Sequence, residues 1–150
     1  MDDMEFFKSL DYSDGLGVVK AIFSRFPLQY GATLGLDGAP QLRPIEFKFE
    51  EGGRLYFDTV TLYTSYRELK ACPYIQVCVC DQKTMTYLRV GGKVIFTDEK
   101  SVVDRCFSQS PVLTSQFGDR RDLVIAYYLS DAWAEFCSFS PELSDHRYRL

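Results

Sequence analysis

The side chains able to do chemistry in this 150-residue chain are few and unevenly placed. One histidine, His146, lies in a polar tail, and the five cysteines are Cys72, Cys78, Cys80, Cys106 and Cys137. An odd count at irregular spacing argues against a disulfide framework. Cys78-Val79-Cys80 puts two sulfurs on one strand face, where they serve either as a metal or redox pair or as small buried hydrophobes. The C-x-C spacing is not that of a zinc ribbon. No G-x-S-x-G, H-E-x-x-H or G-x-x-x-x-G-K-S/T occurs, so no nucleophile–base pair, zinc-protease helix or P-loop is legible. What remains is a hydroxyl-rich segment, Thr59-Val60-Thr61-Leu62-Tyr63-Thr64-Ser65-Tyr66-Arg67. Its hydroxyls can donate and accept hydrogen bonds. The same residues also read as a helix start. Ser65-x-x-Glu68 has the form of a capping box, in which Ser65 satisfies the helix's own free N–H groups.

The elements that must position these residues are mostly strands. Leu16, Val19, Ile22, Phe23 and Phe26 recur at helical spacing until Pro27 stops the run. The period then changes. Leu28–Leu36 reads as a strand, Asp37-Gly38 as a hairpin turn, and Gln41–Glu50 as a second strand in which Ile45, Phe47 and Phe49 alternate with Glu46, Lys48 and Glu50. Gly52-Gly53 makes the next turn, and Leu55, Phe57 and Thr59 share a face of a third strand, so the opening reads as a three-stranded meander. A helix over about 63–71 is followed by strands at 74–80 and 84–97, with Gly91-Gly92 marking a bulge or bend. A helix over 99–108 precedes a loop or short helical turn at 111–118. Strands at 123–129 and 132–139 follow, joined by Ser130-Asp131, and the tail from Ser140 is loose or packed on a partner. About seven strands and three helices in hairpin order predict a small closed antiparallel barrel with a few helices.

The charge balance narrows the partners. Seventeen Lys and Arg against 21 Asp and Glu give a net charge of −4, which disfavours a broad nucleic-acid footprint. No apolar run reaches the length of a membrane helix. The acidic start Met1-Asp2-Asp3-Met4-Glu5 lacks the basic opening of a signal peptide, so the expectation is a cytoplasmic protein without membrane or nucleic-acid partners.

Several segments, in order, resemble the flavin-binding split barrels related to pyridoxamine 5′-phosphate oxidase. Tyr30-Gly31-Ala32-Thr33-Leu34 with Asp37-Gly38-Ala39-Pro40-Gln41-Leu42-Arg43-Pro44 is similar to that family's opening hairpin. Leu55-Tyr56-Phe57-Asp58-Thr59 looks like its third strand, and Leu69-Lys70-Ala71-Cys72-Pro73-Tyr74-Ile75-Gln76-Val77 like its helix exit. Tyr87-Leu88-Arg89-Val90-Gly91-Gly92-Lys93-Val94 and Ala134-Glu135-Phe136-Cys137-Ser138-Phe139 fit later strands. The likeness covers residues 26–139 of one domain, 1–150.

The resemblance implies a six- to seven-stranded antiparallel split barrel, a homodimer, and FMN in a cleft at the subunit interface. It also implies an oxidoreductase acting on an unidentified small molecule, or alternatively a non-enzymatic flavin- or haem-binding dimeric module with a degenerate phosphate site. It assigns Arg43 to the flavin, with Pro44, Ile45 and Glu46 beside the ring. Lys48 matches a lysine of the oxidase branch, although five residues along an ideal strand would turn it to the opposite face. Thr59, Thr61, Thr64 and Ser65 stand in the phosphate loop, where relatives carry Lys or Arg, and Arg67 is the remaining nearby cation. Tyr87 replaces the tryptophan often found at that point of the strand, and its ring either lines the cleft or packs in the core. Trp133 is expected in the core or at the dimer contact.

Overall fold

A computed structural model describes residues 1–150. It begins with a helix absent from the expectation, α1 (Asp3–Lys8), closed at its start by a capping box between Asp2 and Glu5. Helix α2 (Gly15–Arg25) buries Val18, Val19, Ile22 and Phe23, and ends just before Pro27. Strands β1 (Gln29–Leu34) and β2 (Pro40–Ile45) form the first hairpin, with Gly38 at φ 85° in its turn. Strands β3 (Phe49–Glu51) and β4 (Arg54–Val60) form the second. Then come α3 (Thr64–Ala71), β5 (Tyr74–Asp81), β6 (Thr86–Thr97), α4 (Lys100–Gln109), α5 (Pro111–Phe117), β7 (Val124–Ser138) and β8 (His146–Arg149).

The strands lie in the order β2-β1-β5-β6-β7-β4-β3, with β8 added beside β7, and every pairing is antiparallel. This corrects the meander. The second strand stops at Ile45, and residues 46–48 cross from one edge of the sheet to the other, so β2 and β3 are opposite edges and not neighbours. The split in the barrel wall is therefore bridged by covalent chain instead of a hydrogen-bond ladder. Gln29 holds the crossing in place. Its buried amide donates to the Phe23 and Phe26 carbonyls, while its oxygen accepts from the Phe47 N–H.

Three further differences have physical causes. The two last strands are one, β7, because Asp131 takes a positive φ of 50° and absorbs the irregularity as a bulge: Gly92 of β6 faces both Asp131 and Ala132. The tail is ordered as β8, pairing residues 146–149 with 133–136 of β7. The 111–118 segment is a helix, opened by the Ser110 hydroxyl accepting from the Leu113 N–H, with Pro111 at its first position.

Two apolar layers result. Inside the barrel, Leu55, Phe57, Val77, Leu88, Val90, Tyr127 and Phe136 pack with α1 and α2. Outside it, Tyr56, Val60, Val124 and Ala126 pack under Val102, Cys106, Phe107 and Leu113 of α4 and α5. Strand β4 is consequently covered on both faces. No helix is long and apolar enough to cross a membrane.

Candidate functional site

The crossing at 46–48 borders a cleft. A cavity of about 410 Å³ opens between β2 and β4, flanked by Pro27 and Leu28 of the segment after α2 and by α5. It has the size and mixed lining of a small-molecule site. Arg43, Pro44, Ile45, Glu46, Lys48, Thr59 and Ser65 all line it, so seven of the expected site residues meet in one place. The break after Ile45 explains how Arg43 and Lys48 share a cavity. They do not lie on one strand, and strand parity does not apply across the crossing.

Arg43 points inward from β2 opposite Gly31. Its Nη1 donates to the Thr33 hydroxyl at 3.0 Å and pairs with Glu68 at 2.9 Å. The Glu68 side chain is only 3% exposed and also accepts from Thr33 at 3.0 Å. Only Nη1 of the guanidinium is used within the chain; Nε and Nη2 make no internal hydrogen bond. Glu68 thus neutralises the arginine and fixes it while leaving donors for a ligand.

Lys48, only 4% exposed at its side chain, sits between two carboxylates. Its ammonium is 3.2 Å from Glu46 and 3.5 Å from Asp58. The Ser110 hydroxyl also donates to Glu46. The Asp58 side chain is 9% exposed, and its Oδ2 has no hydrogen-bond partner; Lys48 stands near enough for an ion pair without making that bond. Burial raises the Asp58 carboxyl above the ordinary range, against the pull of Lys48. Cys106 of α4 faces the same carboxylate, and burial pushes its thiol up to about 12. Burial likewise raises the Tyr127 phenol on the cleft's inner wall.

The capping-box reading of Ser65 and Glu68 is corrected. Helix α3 starts at Thr64 with Tyr63 as its cap residue, and no side chain caps it. Ser65 hydrogen-bonds Thr59 at 3.3 Å, and Glu68 is committed to Arg43 and Thr33. The free N–H groups at the start of α3 are thus left without a side-chain acceptor. Thr61, Thr64 and Arg67 lie outside the cavity lining. Thr61 donates to the Leu123 carbonyl, and Arg67 reaches back to the Thr64 hydroxyl at 3.3 Å without a carboxylate partner. Tyr87 is not in the cleft of its own chain. It lies on the face of β6 opposite the buried Leu88 and Val90, beside Phe139.

Asp58, Glu68, Ser110, Tyr127 and the α5 residues Val112, Leu113, Gln116 and Phe117 were not anticipated. Asp58 had a signal: an acid flanked at alternate positions by Tyr56 and Val60, both buried. The α5 contribution had none, since it depends on how that helix packs back over the crossing. The cysteines are all free, and no group of three or more His, Cys, Asp or Glu side chains is placed to hold a metal.

No protein-family model matches the sequence, and no curated protein matches it. Solved structures do. A NimC/NimA family protein from Clostridium acetobutylicum superposes with a TM-score of 0.80 at 17% identity, over 97% of this chain and 96% of that one. A second protein of that organism, related to general stress protein 26 and of the pyridoxinephosphate oxidase family, gives 0.72 at 12% identity over 94% and 97%. The chain is a split barrel of the pyridoxine-phosphate-oxidase-like fold. A haem-binding protein from Mycobacterium smegmatis shares the split barrel with a TM-score of 0.68 at 10% identity, over 85% of this chain and 55% of that one. At these identities the likeness is one of fold.

Proposed function

We propose that the chain is an FMN-dependent oxidoreductase acting on a small molecule, with the flavin ring in the split of the barrel and the phosphate at the start of α3. The observation that carries this reading is the convergence of Arg43, Lys48, Thr59 and Ser65 in one cleft beside an uncapped helix N-terminus. The donor set fits the group. The unused Nε and Nη2 of Arg43 suit ring carbonyls, and Ile45, Val60, Tyr127 and Phe117 supply apolar and aromatic surface. The free N–H groups of α3, with Thr61, Thr64 and Arg67 nearby, suit a phosphate.

When bound, the flavin supplies the hydride chemistry. The protein's task is to bind, orient and dry the site. Glu68 and Thr33 hold Arg43 in one position, which lowers the ordering cost of binding. Val112, Leu113 and Phe117 of α5 cover one side and limit water.

The homodimer belongs to the same reading. Tyr30, Leu34, Leu42 and Tyr74 are exposed on the outward face of β1, β2 and β5, which continues through Cys78 and Arg89 to Glu135. An apolar sheet face of this kind needs covering. Pro27 and Leu28 line both the cleft and the adjoining apolar depression with Tyr30 and Leu42, so a partner on that face would border the ligand. Tyr87, on the same face, could then reach a ligand only across the boundary.

The haem alternative has less support in the cleft, whose lining offers no histidine, cysteine or methionine as an axial ligand and only the phenols of Tyr63 and Tyr127. Purified protein titrated with FMN should quench flavin fluorescence saturably, one flavin per chain. Absence of uptake, with the protein folded, rejects the proposal.

A further inference from the structure

Asp58 stands apart from the other groups of the cleft. Arg43, Glu68, Thr33, Thr59, Ser65 and Ser110 all have hydrogen-bond partners within the chain. Asp58 Oδ2 alone among buried side-chain oxygens and nitrogens has none. Leaving a buried carboxylate oxygen unsatisfied is costly, and native proteins rarely tolerate it without a use. The strand gives no release, because β4 is covered on both faces and Asp58 cannot turn to solvent.

Its neighbour sharpens the point. Lys48 Nζ lies 3.5 Å from Asp58 Oδ2, and both residues line the cavity. A donor and an acceptor side by side at that spacing match a flat group presenting a carbonyl oxygen next to an N–H, as in a cyclic imide or amide. The charge around them points the same way. Lys48 is already balanced by Glu46 and Asp58, and Arg43 by Glu68, so this end of the cleft has no positive charge left for an anion.

We propose that Asp58 accepts a hydrogen bond from a ring N–H of the bound ligand while Lys48 donates to the adjacent carbonyl, so that the inner end of the cleft selects an uncharged imide edge. The inference rests on the flavin reading and deepens it, since it assigns the flavin's N3–H to Asp58. Asp58 is a recognition residue on this account. Its raised carboxyl affinity for protons fits a group that waits for a donor.

A ligand altered at one atom tests the assignment. FMN and N3-methyl-FMN are titrated into wild-type protein, Asp58→Leu and Asp58→Asn, and binding is read by quenching of flavin fluorescence. Wild type should bind the parent about tenfold more tightly than the methylated ring, the worth of one charge-assisted hydrogen bond. Asp58→Leu should bind both equally. Asp58→Asn, nearly isosteric and available if the leucine variant fails to fold, should keep only a fraction of the discrimination, because its amide oxygen accepts without charge. If wild type binds both flavins equally, or Asp58→Leu still discriminates, the assignment is wrong while the flavin site stands. If neither flavin binds folded wild type, both the site and the assignment fall.

Discussion

Arg43 Nη1 lies 2.9 Å from the carboxylate of Glu68, and the two differ sharply in exposure: 30% for the arginine side chain and 3% for the glutamate. The pair therefore has unequal ends. Arg43→Ala would strand a buried carboxylate with only Thr33 beside it, whereas Glu68→Ala would leave a guanidinium that can reach water. We expect Arg43→Ala to be the more destabilising, by about 1–3 kcal/mol in urea unfolding after allowance for solvent at the arginine. The double variant should cost less than the sum. Arg43→Lys should not restore stability, since a point charge cannot serve Glu68 and Thr33 while leaving a planar edge free.

The start of α3 carries the next expectation. Arg67 touches only Thr64 and has no carboxylate partner. Arg67→Ala should weaken FMN about tenfold and leave riboflavin unchanged, the loss of one charge-assisted contact at the phosphate. An equal loss for both ligands would place Arg67 at the ring or outside the site.

Asp58 predicts a pH effect of definite sign. Its folded carboxyl is raised by burial, so the folded state holds its proton more tightly than the unfolded chain. The stability it contributes is present below the ordinary carboxylate range and is lost as pH rises through the raised value. Asp58→Asn should therefore melt higher than wild type at neutral pH, about 2–4 °C for each kcal/mol gained. The gap should close as pH falls below about 4. Lys48 retains Glu46 at 3.2 Å in the variant, so it is not stranded. A variant less stable than wild type at pH 7 would show the carboxylate to be structural.

Gly91 offers a check on the barrel bend that needs no ligand. A Cβ there would clash with the Trp133 ring, so the indole lies directly over the glycine. Gly91→Ala must push Trp133 away from Gly91 and from Arg89, whose guanidinium is 5.4 Å from the ring. Trp133 is the only tryptophan, so its emission reports the displacement alone. A shifted emission maximum with a loss of about 1–3 kcal/mol is expected. An unchanged spectrum would contradict the packing.

Much of this architecture was legible in the residues. Alternation gave the strands, Pro27 ended α2, and Asp37-Gly38 turned the first hairpin, because these signals are local. The split was not legible. Phe47 and Phe49 continue the alternation of Ile45, so residues 41–50 read as one strand, and only the long-range hold of Gln29 on Phe47 reveals the crossing. Arg43 and Lys48 could be picked out, but their meeting depends on that crossing. Glu68 showed the opposite failure. Its spacing from Ser65 suggested a cap, and the tertiary partner Arg43 took it instead. Asp58 was readable only as an acid within an apolar strand.

The account turns on whether the split in the barrel wall is a flavin site. The most direct measurement is titration of wild-type protein with FMN, followed by flavin fluorescence, with Arg43→Ala alongside. Saturable quenching at one flavin per chain, weakened in the variant, is the expected result. Folded wild-type protein that leaves FMN fluorescence unchanged, or a variant that binds as well as wild type, would contradict it.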